Sequence, residues 1–137
     1  MAIILGLRLP CGYVADRQPG HIAVSFHGTP LGEVPHDIAP RELAARVSRH
    51  RFAGSGDVLP TSGVPATGTR FISRFPEHDR DEADRPRTTP AGQEWLVSHV
   101  GDDDCGGTAD VHLICEATGA WICPSATDLW MRFTASP

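Results

Sequence analysis

The chain lacks two residue types altogether. None of its 137 residues is lysine or asparagine, so all 12 basic side chains are arginine. Both missing residues have A-rich codons, and their joint absence points to a GC-rich coding background, that of a high-GC bacterium or of a phage infecting one. Long apolar runs are missing too. None approaches the ~20 residues that a membrane-crossing helix needs, and the apolar start at Met1–Leu9 is interrupted by Arg8 and closed by Pro10, without the basic-then-apolar order of an export signal. The expectation is a chain with no membrane segment, located in the cytoplasm or in a virion. An excess of positive charge is likewise absent. A net charge of −5 gives no reason to expect nucleic acid as a partner.

What is present suffices for a core. With 40% hydrophobic and 21% charged residues, the chain is too apolar to stay disordered, and its length fits a single domain over 1–137. Fourteen glycines and twelve prolines favour short strands and loops over long helices. The expected fold class is α+β, mainly β: a small antiparallel sheet, barrel or sandwich with one short helix at about 40–50. Strands are expected over 2–9 and over 21–26, the latter bounded by Pro19-Gly20 and Gly28. Residues 28–40 read as a loop punctuated by proline and glycine. Pro40 suits a first helical turn and Glu42 suits the positive helix N-terminus, with Leu43, Ala44 and Val47 as the apolar stripe and Arg41, Arg46 and Arg49 opposite.

A Gly/Ser/Thr/Pro segment at 53–69 precedes a strand at 69–75. Residues 76–92 are highly polar and read as a projecting loop or arm whose removal would leave the fold intact. The C-terminal third reads as a meander: strands at 94–100, 109–115, 121–123 and 128–134, with Trp95, Trp121, Trp130 and Phe133 supplying much of the core. A three-residue loop at Thr118–Ala120 would set Cys115 opposite Cys123.

Three constellations carry chemistry. Ser25-Phe26-His27-Gly28 ends an apolar strand; a helix follows, then Asp57 to Gly63. Over residues 21–63 this order resembles the caspase-like peptidases, which implies a catalytic role for His27 and places Ser62 where that family has its nucleophilic cysteine. His27-Gly28-Thr29 also resembles the NAD-binding start of ADP-ribosyltransferases, a family that needs a later catalytic glutamate, and none is singled out here. The second set is Cys105, His112, Cys115 and Cys123, four soft ligands in a Cys-x6-His-x2-Cys-x7-Cys spacing, which makes them candidate zinc ligands although only His112 and Cys115 approach a knuckle pair. On a strand those two would face opposite sides. The third is Asp102-Asp103-Asp104, read as an acidic turn because the positions an EF-hand needs carry Gly106 and Leu113. Seven dispersed histidines do not form one histidine-rich site.

No catalytic set closes on these residues, and no cofactor is expected. The function that fits best is a small non-catalytic assembly or interaction protein, with a phage structural (head–tail) component as one concrete form. Its partners would be proteins, in a homo-oligomer or larger assembly, contacted through Arg41, Arg46 and Arg49 and through Glu77, Asp79, Arg80, Arg85 and Arg87 of the arm. A small hydrolase or toxin-like domain using His27, and a zinc-stabilised binding module, are the alternatives.

Overall fold

The structure, a computed structural model, describes residues 3–54, 56–80, 83–101 and 110–136. It is α+β and mainly β. Among the described residues twelve strands and two helices run in the order β1 (Ile3–Ile4), β2 (Leu7–Arg8), β3 (Tyr13–Gln18), β4 (His21–Phe26), β5 (Thr29–Pro35), α1 (Pro40–Ala53), β6 (Arg70–Ser73), β7 (Glu77–Arg80), β8 (Pro86–Thr89), β9 (Glu94–Val100), β10 (Val111–Cys115), β11 (Ala120–Ile122), α2 (Ala126–Arg132) and β12 (Phe133–Ala135). All strand pairs are antiparallel, in one three-stranded sheet (β3-β4-β5), one five-stranded sheet (β11-β10-β9-β6-β12) and two small hairpins. Among the described residues both larger sheets are open, and neither closes into a barrel.

The three-stranded meander is built from alternation and two tight turns. Ile22 and Val24 of β4 point inward, and β4 matches the strand expected at 21–26. Residues 28–40 are not all loop, because β5 occupies Thr29–Pro35 at the sheet edge, where proline is tolerated. In β5, Leu31 and Val34 are both buried although three apart. A regular strand would put them on opposite faces. The register shifts between Val24 and Ser25, opposite Gly32 at φ 130, and that break turns both side chains inward. At the other end, the expected strand at 2–9 is instead the hairpin β1–β2, turned at Leu5-Gly6.

Helix α1 serves two hydrophobic clusters. Leu43 and Val47 join Tyr13, Ile22, Val24, Leu31 and Val34 on the first sheet. Ala45 joins Phe71, Trp95, Val97, Leu113, Leu129, Trp130 and Phe133 on the second. The helix runs three residues beyond the expected His50 and stops at Gly54, which takes the left-handed conformation at φ 66. Ser48 Oγ donates to Thr127 O (2.7 Å), tying α1 to α2. Tyr13 OH donates to His50 Nδ1 (2.6 Å), tying β3 to α1, while His50 Nε2 donates to Gly56 O (2.7 Å). The carbonyl accepts only, so it fixes the proton on Nε2 and leaves Nδ1 as the acceptor.

Burial pushes the Tyr13 phenol above its ordinary value of 10.0. A raised value in the fold means the protonated phenol stabilises below the unfolded value and that this contribution is lost as pH rises through the folded one. Urea titrations are therefore expected to show stability falling above about pH 10, with a shallower fall in Tyr13→Phe. Parallel curves for the two proteins would refute this.

A second helix, absent from the expectation, spans Ala126–Arg132 where a strand was expected at 128–134; only Phe133–Ala135 is strand. The region 76–92 is also more than a loop. It is the β7–β8 hairpin, and its inner residues are buried: Glu77 is 4% exposed and Thr89 is 1% exposed. Glu77 grips Arg132 of α2 through two bonds (3.0 and 2.5 Å). The arm is thus tied to α2 through Glu77. No helix among the described residues is long and apolar enough to cross a membrane.

Candidate functional site

The five-stranded sheet has two unlike faces. Trp95, Val97, Val111, Leu113, Cys115 and Ala120 point into the core. The outer face of β9, β10 and β11 carries two rows of side chains. One row is apolar: Leu96 pairs with Ile114, and Ile114 pairs with Trp121. The next row is His99, His112 and Cys123. His112 pairs with His99, and the Leu113–Ile122 pairing brings Cys123, the residue after β11, opposite His112.

A bulge creates the second row. Val97 is buried, so regular alternation would bury His99 as well. Between His112 and Leu113 the register shifts, Leu113 facing Val97 and His112 facing His99, so Ser98 is the extra residue and His99 turns outward. Its ring stacks on His112, with centroids 3.8 Å apart at 16°. Ser98 Oγ donates to His112 O (3.2 Å). Cys123 Sγ lies 2.9 Å from His112 Nδ1. Burial first, and then the carboxylate of Asp110, push the Cys123 thiol above its ordinary value. Asp110 itself pairs with Arg41 (3.4 Å). The row is therefore a neutral thiol set against an imidazole, flanked by a second imidazole.

Beside β11 lies the arm. Arg87 grips Asp79 across the hairpin (3.2 and 2.7 Å) and reaches Thr118 O (3.4 Å). The Arg87 hydrogen bond, and with it the backbone N–H of Trp121, holds the Asp79 carboxyl below its ordinary range. Between the arm tip and the β10–β11 turn an open groove of about 740 Å3 is lined by Arg80, Arg85, Arg87 and Trp121, with Asp84 also on its wall. Trp121 is 64% exposed, so it does not belong to the core in which it was expected.

The expected zinc set does not assemble. Cys115 is buried on the inner face and His112 is on the outer one, as their odd spacing implies. Cys115 pairs with Ala120, not Cys123, because the turn spans 116–119 and not Thr118–Ala120. Cys105 and the aspartates at 102–104 lie outside the described residues. No three His, Cys, Asp or Glu side chains converge with metal-binding geometry among the described residues.

The His27–Ser62 pair does not form either. His27 occupies the two-residue turn between β4 and β5 at φ 48, followed by Gly28 at φ 84. Its ring packs on Phe26, and its backbone N–H donates to Gly12 O (2.8 Å). Ser62 Oγ accepts from Val64 N (3.2 Å) within its own loop. Among the described residues no strand follows α1 before β6, and the sheets are antiparallel, so the caspase-like order ends at the helix.

The expected partner-facing arginines of α1 have intramolecular contacts. Arg46 bonds Glu42 (2.8 Å), Arg49 donates to Ser62 O (3.0 Å) and sits over the Trp130 ring, and Arg41 pairs with Asp110. In the arm, Glu77 and Asp79 are turned inward on arginines, while Arg80, Arg85 and Arg87 line the groove. Sequence reasoning missed His99, whose orientation rests on a bulge that periodicity does not signal, and the exposure of Trp121. Comparison of the chain with protein families, with curated proteins and with solved structures gives no match.

Proposed function

We propose that this chain is a non-catalytic interaction protein that docks an acidic segment of a partner protein between its arm and Trp121. One observation carries the reading: an exposed tryptophan beside three arginines in one groove. Tryptophan and arginine dominate binding energy at interfaces, since each combines a large contact area with directed polar groups. Arg80, Arg85 and Arg87 bring three guanidinium groups to the groove wall, where Arg87 also binds Asp79 and Arg80 also reaches Asp84. A guanidinium has five N–H donors, more than one carboxylate accepts from, so these groups can take up acidic side chains of a partner as well, while the net charge of −5 disfavours long polyanions such as nucleic acid. Head–tail assembly in a phage is one setting that would use such docking.

The other two tryptophans are 0% and 4% exposed, so fluorescence quenching by a polar ligand reports chiefly on Trp121. A decapeptide of Asp and Glu with one central Phe is expected to bind, to weaken as salt is raised, and to bind Trp121→Ala about tenfold more weakly. Equal binding to the variant would end the proposal. So would a dimer of the wild-type chain that dissociates in Trp121→Ala, seen by light scattering, since the occupant would then be a second copy.

A further inference from the structure

The row His99–His112–Cys123 is not used by the groove, and it contains a nucleophile beside a base. Cys123 is exposed, and its Sγ lies within hydrogen-bond reach of His112 Nδ1 at 2.9 Å. The base is itself oriented. His99 stacks on one face of the His112 ring, and the Gly101 backbone approaches so closely that a Cβ there would stand 3.3 Å from Nε2. A nucleophile, a base within reach and a group that orients the base are the parts from which activated thiols are made. The other described cysteines lack them. Cys115 is 0% exposed. Cys11 is exposed and has no side-chain hydrogen bond among the described residues.

We propose that Cys123 is a thiol–disulfide exchange site, with His112 as its general base and small, low-molecular-weight disulfides as its substrates. In the step, Cys123 Sγ attacks one sulfur of the disulfide and its proton passes to His112 Nδ1. The new Sγ–S bond forms as the old S–S bond breaks, and the departing thiolate takes the proton from His112. One disulfide and one thiol become one mixed disulfide and one small thiol, so neither an external oxidant nor a reductant is needed. Burial and Asp110 keep the resting sulfur protonated, and therefore a base at 2.9 Å matters: little thiolate stands ready without it. His99 is a positioning residue, holding the imidazole in the plane that faces Sγ.

The test is the rate of mixed-disulfide formation with glutathione disulfide at neutral pH in the presence of a chelator, read per cysteine by mass spectrometry of the peptides after the reacted chain is digested. Cleavage after Glu116 separates Cys123 from Cys105 and Cys115, which trypsin cannot do because no arginine lies between Arg87 and Arg132. Cys123 is expected to react at least tenfold faster than Cys11, an advantage that His112→Gln abolishes while Cys11 is unaffected. His99→Ala should slow Cys123 about threefold and His99→Phe should restore it, because the ring stack and not a second base is what His99 supplies. Asp110→Asn removes the charge that holds the thiol up and should quicken the reaction. A Cys123 no faster than Cys11, or a rate unchanged in His112→Gln, overturns the proposal. So does protection of Cys123 by one equivalent of zinc that requires both His99 and His112, which would assign the row to a metal. The docking groove uses other side chains, so neither result bears on it.

Discussion

Glu77→Ala is expected to lower the free energy of unfolding by about 2–4 kcal/mol, and the midpoint of thermal unfolding by roughly 10 °C. The carboxylate opens β7, is 4% exposed and makes both its strong contacts with one guanidinium. Arg132 ends α2, and its carbonyl accepts from Arg74 N (2.9 Å) just beyond β6. The pair thus joins the arm, the second helix and the five-stranded sheet. Removing one member of such a pair leaves the other charge facing protein in place of water. Arg132 is 30% exposed and regains some hydration, which places the loss below that of a fully enclosed pair. Glu77→Gln keeps one acceptor and the shape, and should cost less. In Glu77→Ala with Arg132→Ala no charge is stranded, so the double variant should be less destabilised than the two single losses added together. Urea unfolding of the wild type and the four variants measures this; a Glu77→Ala midpoint equal to wild type would show that the arm is not held this way. By the same reasoning, deleting 77–87 removes an anchor of α2 and is expected to unfold the chain.

Such anchoring explains what the sequence concealed. Composition and charge pattern show that 76–92 is polar, and polarity ordinarily means solvent. An ion pair 55 positions apart has no local signature, so Glu77 looked like its neighbours. Local signals were reliable where one residue type settles a conformation: Pro19-Gly20 and Gly28 bound β4, and Pro40 opens α1. They were present but unread at α2, where Ser125 Oγ accepts from Asp128 N (3.2 Å) in an N-cap that Ser-Ala-Thr-Asp spells out. They misled at β5, where Pro30, Gly32 and Pro35 suit an edge strand as well as a loop.

The site shows the same division. His112 and Cys123 stood out by chemistry, but their pairing depends on the turn. A loop at Thr118–Ala120 places Cys123 with Cys115 in the core. The observed turn pairs Cys115 with Ala120, a slip of three, and an odd slip exchanges the faces. Cys123 then meets His112, and Trp121 comes out to solvent. One turn length therefore accounts for Cys123 beside His112 and for the exposed tryptophan of the groove, and the bulge at Ser98 adds His99 to the row.

The other large effect is expected at a residue with no side chain at all. Gly63→Ala should destabilise the chain by about 3 kcal/mol, although the φ there is ordinary and alanine costs the backbone nothing. Residues around Gly63 form a strap across α1: Gly63 N donates to Glu42 Oε1 (2.9 Å), Ser62 O accepts from Arg49 (3.0 Å), and Gly63 O accepts from Trp130 Nε1 (2.8 Å). These bonds draw the strap so close that a Cβ on residue 63 would stand 2.4 Å from Ala45 Cβ and 3.1 Å from the Ala45 carbonyl carbon. Ala45 is 0% exposed and its Cβ is fixed to the helix backbone, so no side-chain rotation relieves the contact. Either the strap lifts, breaking the bonds to Glu42 and Trp130, or α1 moves in both clusters at once. Ala45→Gly should restore much of the loss in Gly63→Ala by moving the missing methyl to the other side of the contact. It adds the helix penalty of an interior glycine, about 1 kcal/mol. Chemical denaturation of the two single variants and the double variant decides it. A Gly63→Ala protein as stable as wild type would show that the strap has room, and that the hydrogen bonds, not the absent side chain, set its distance from the helix.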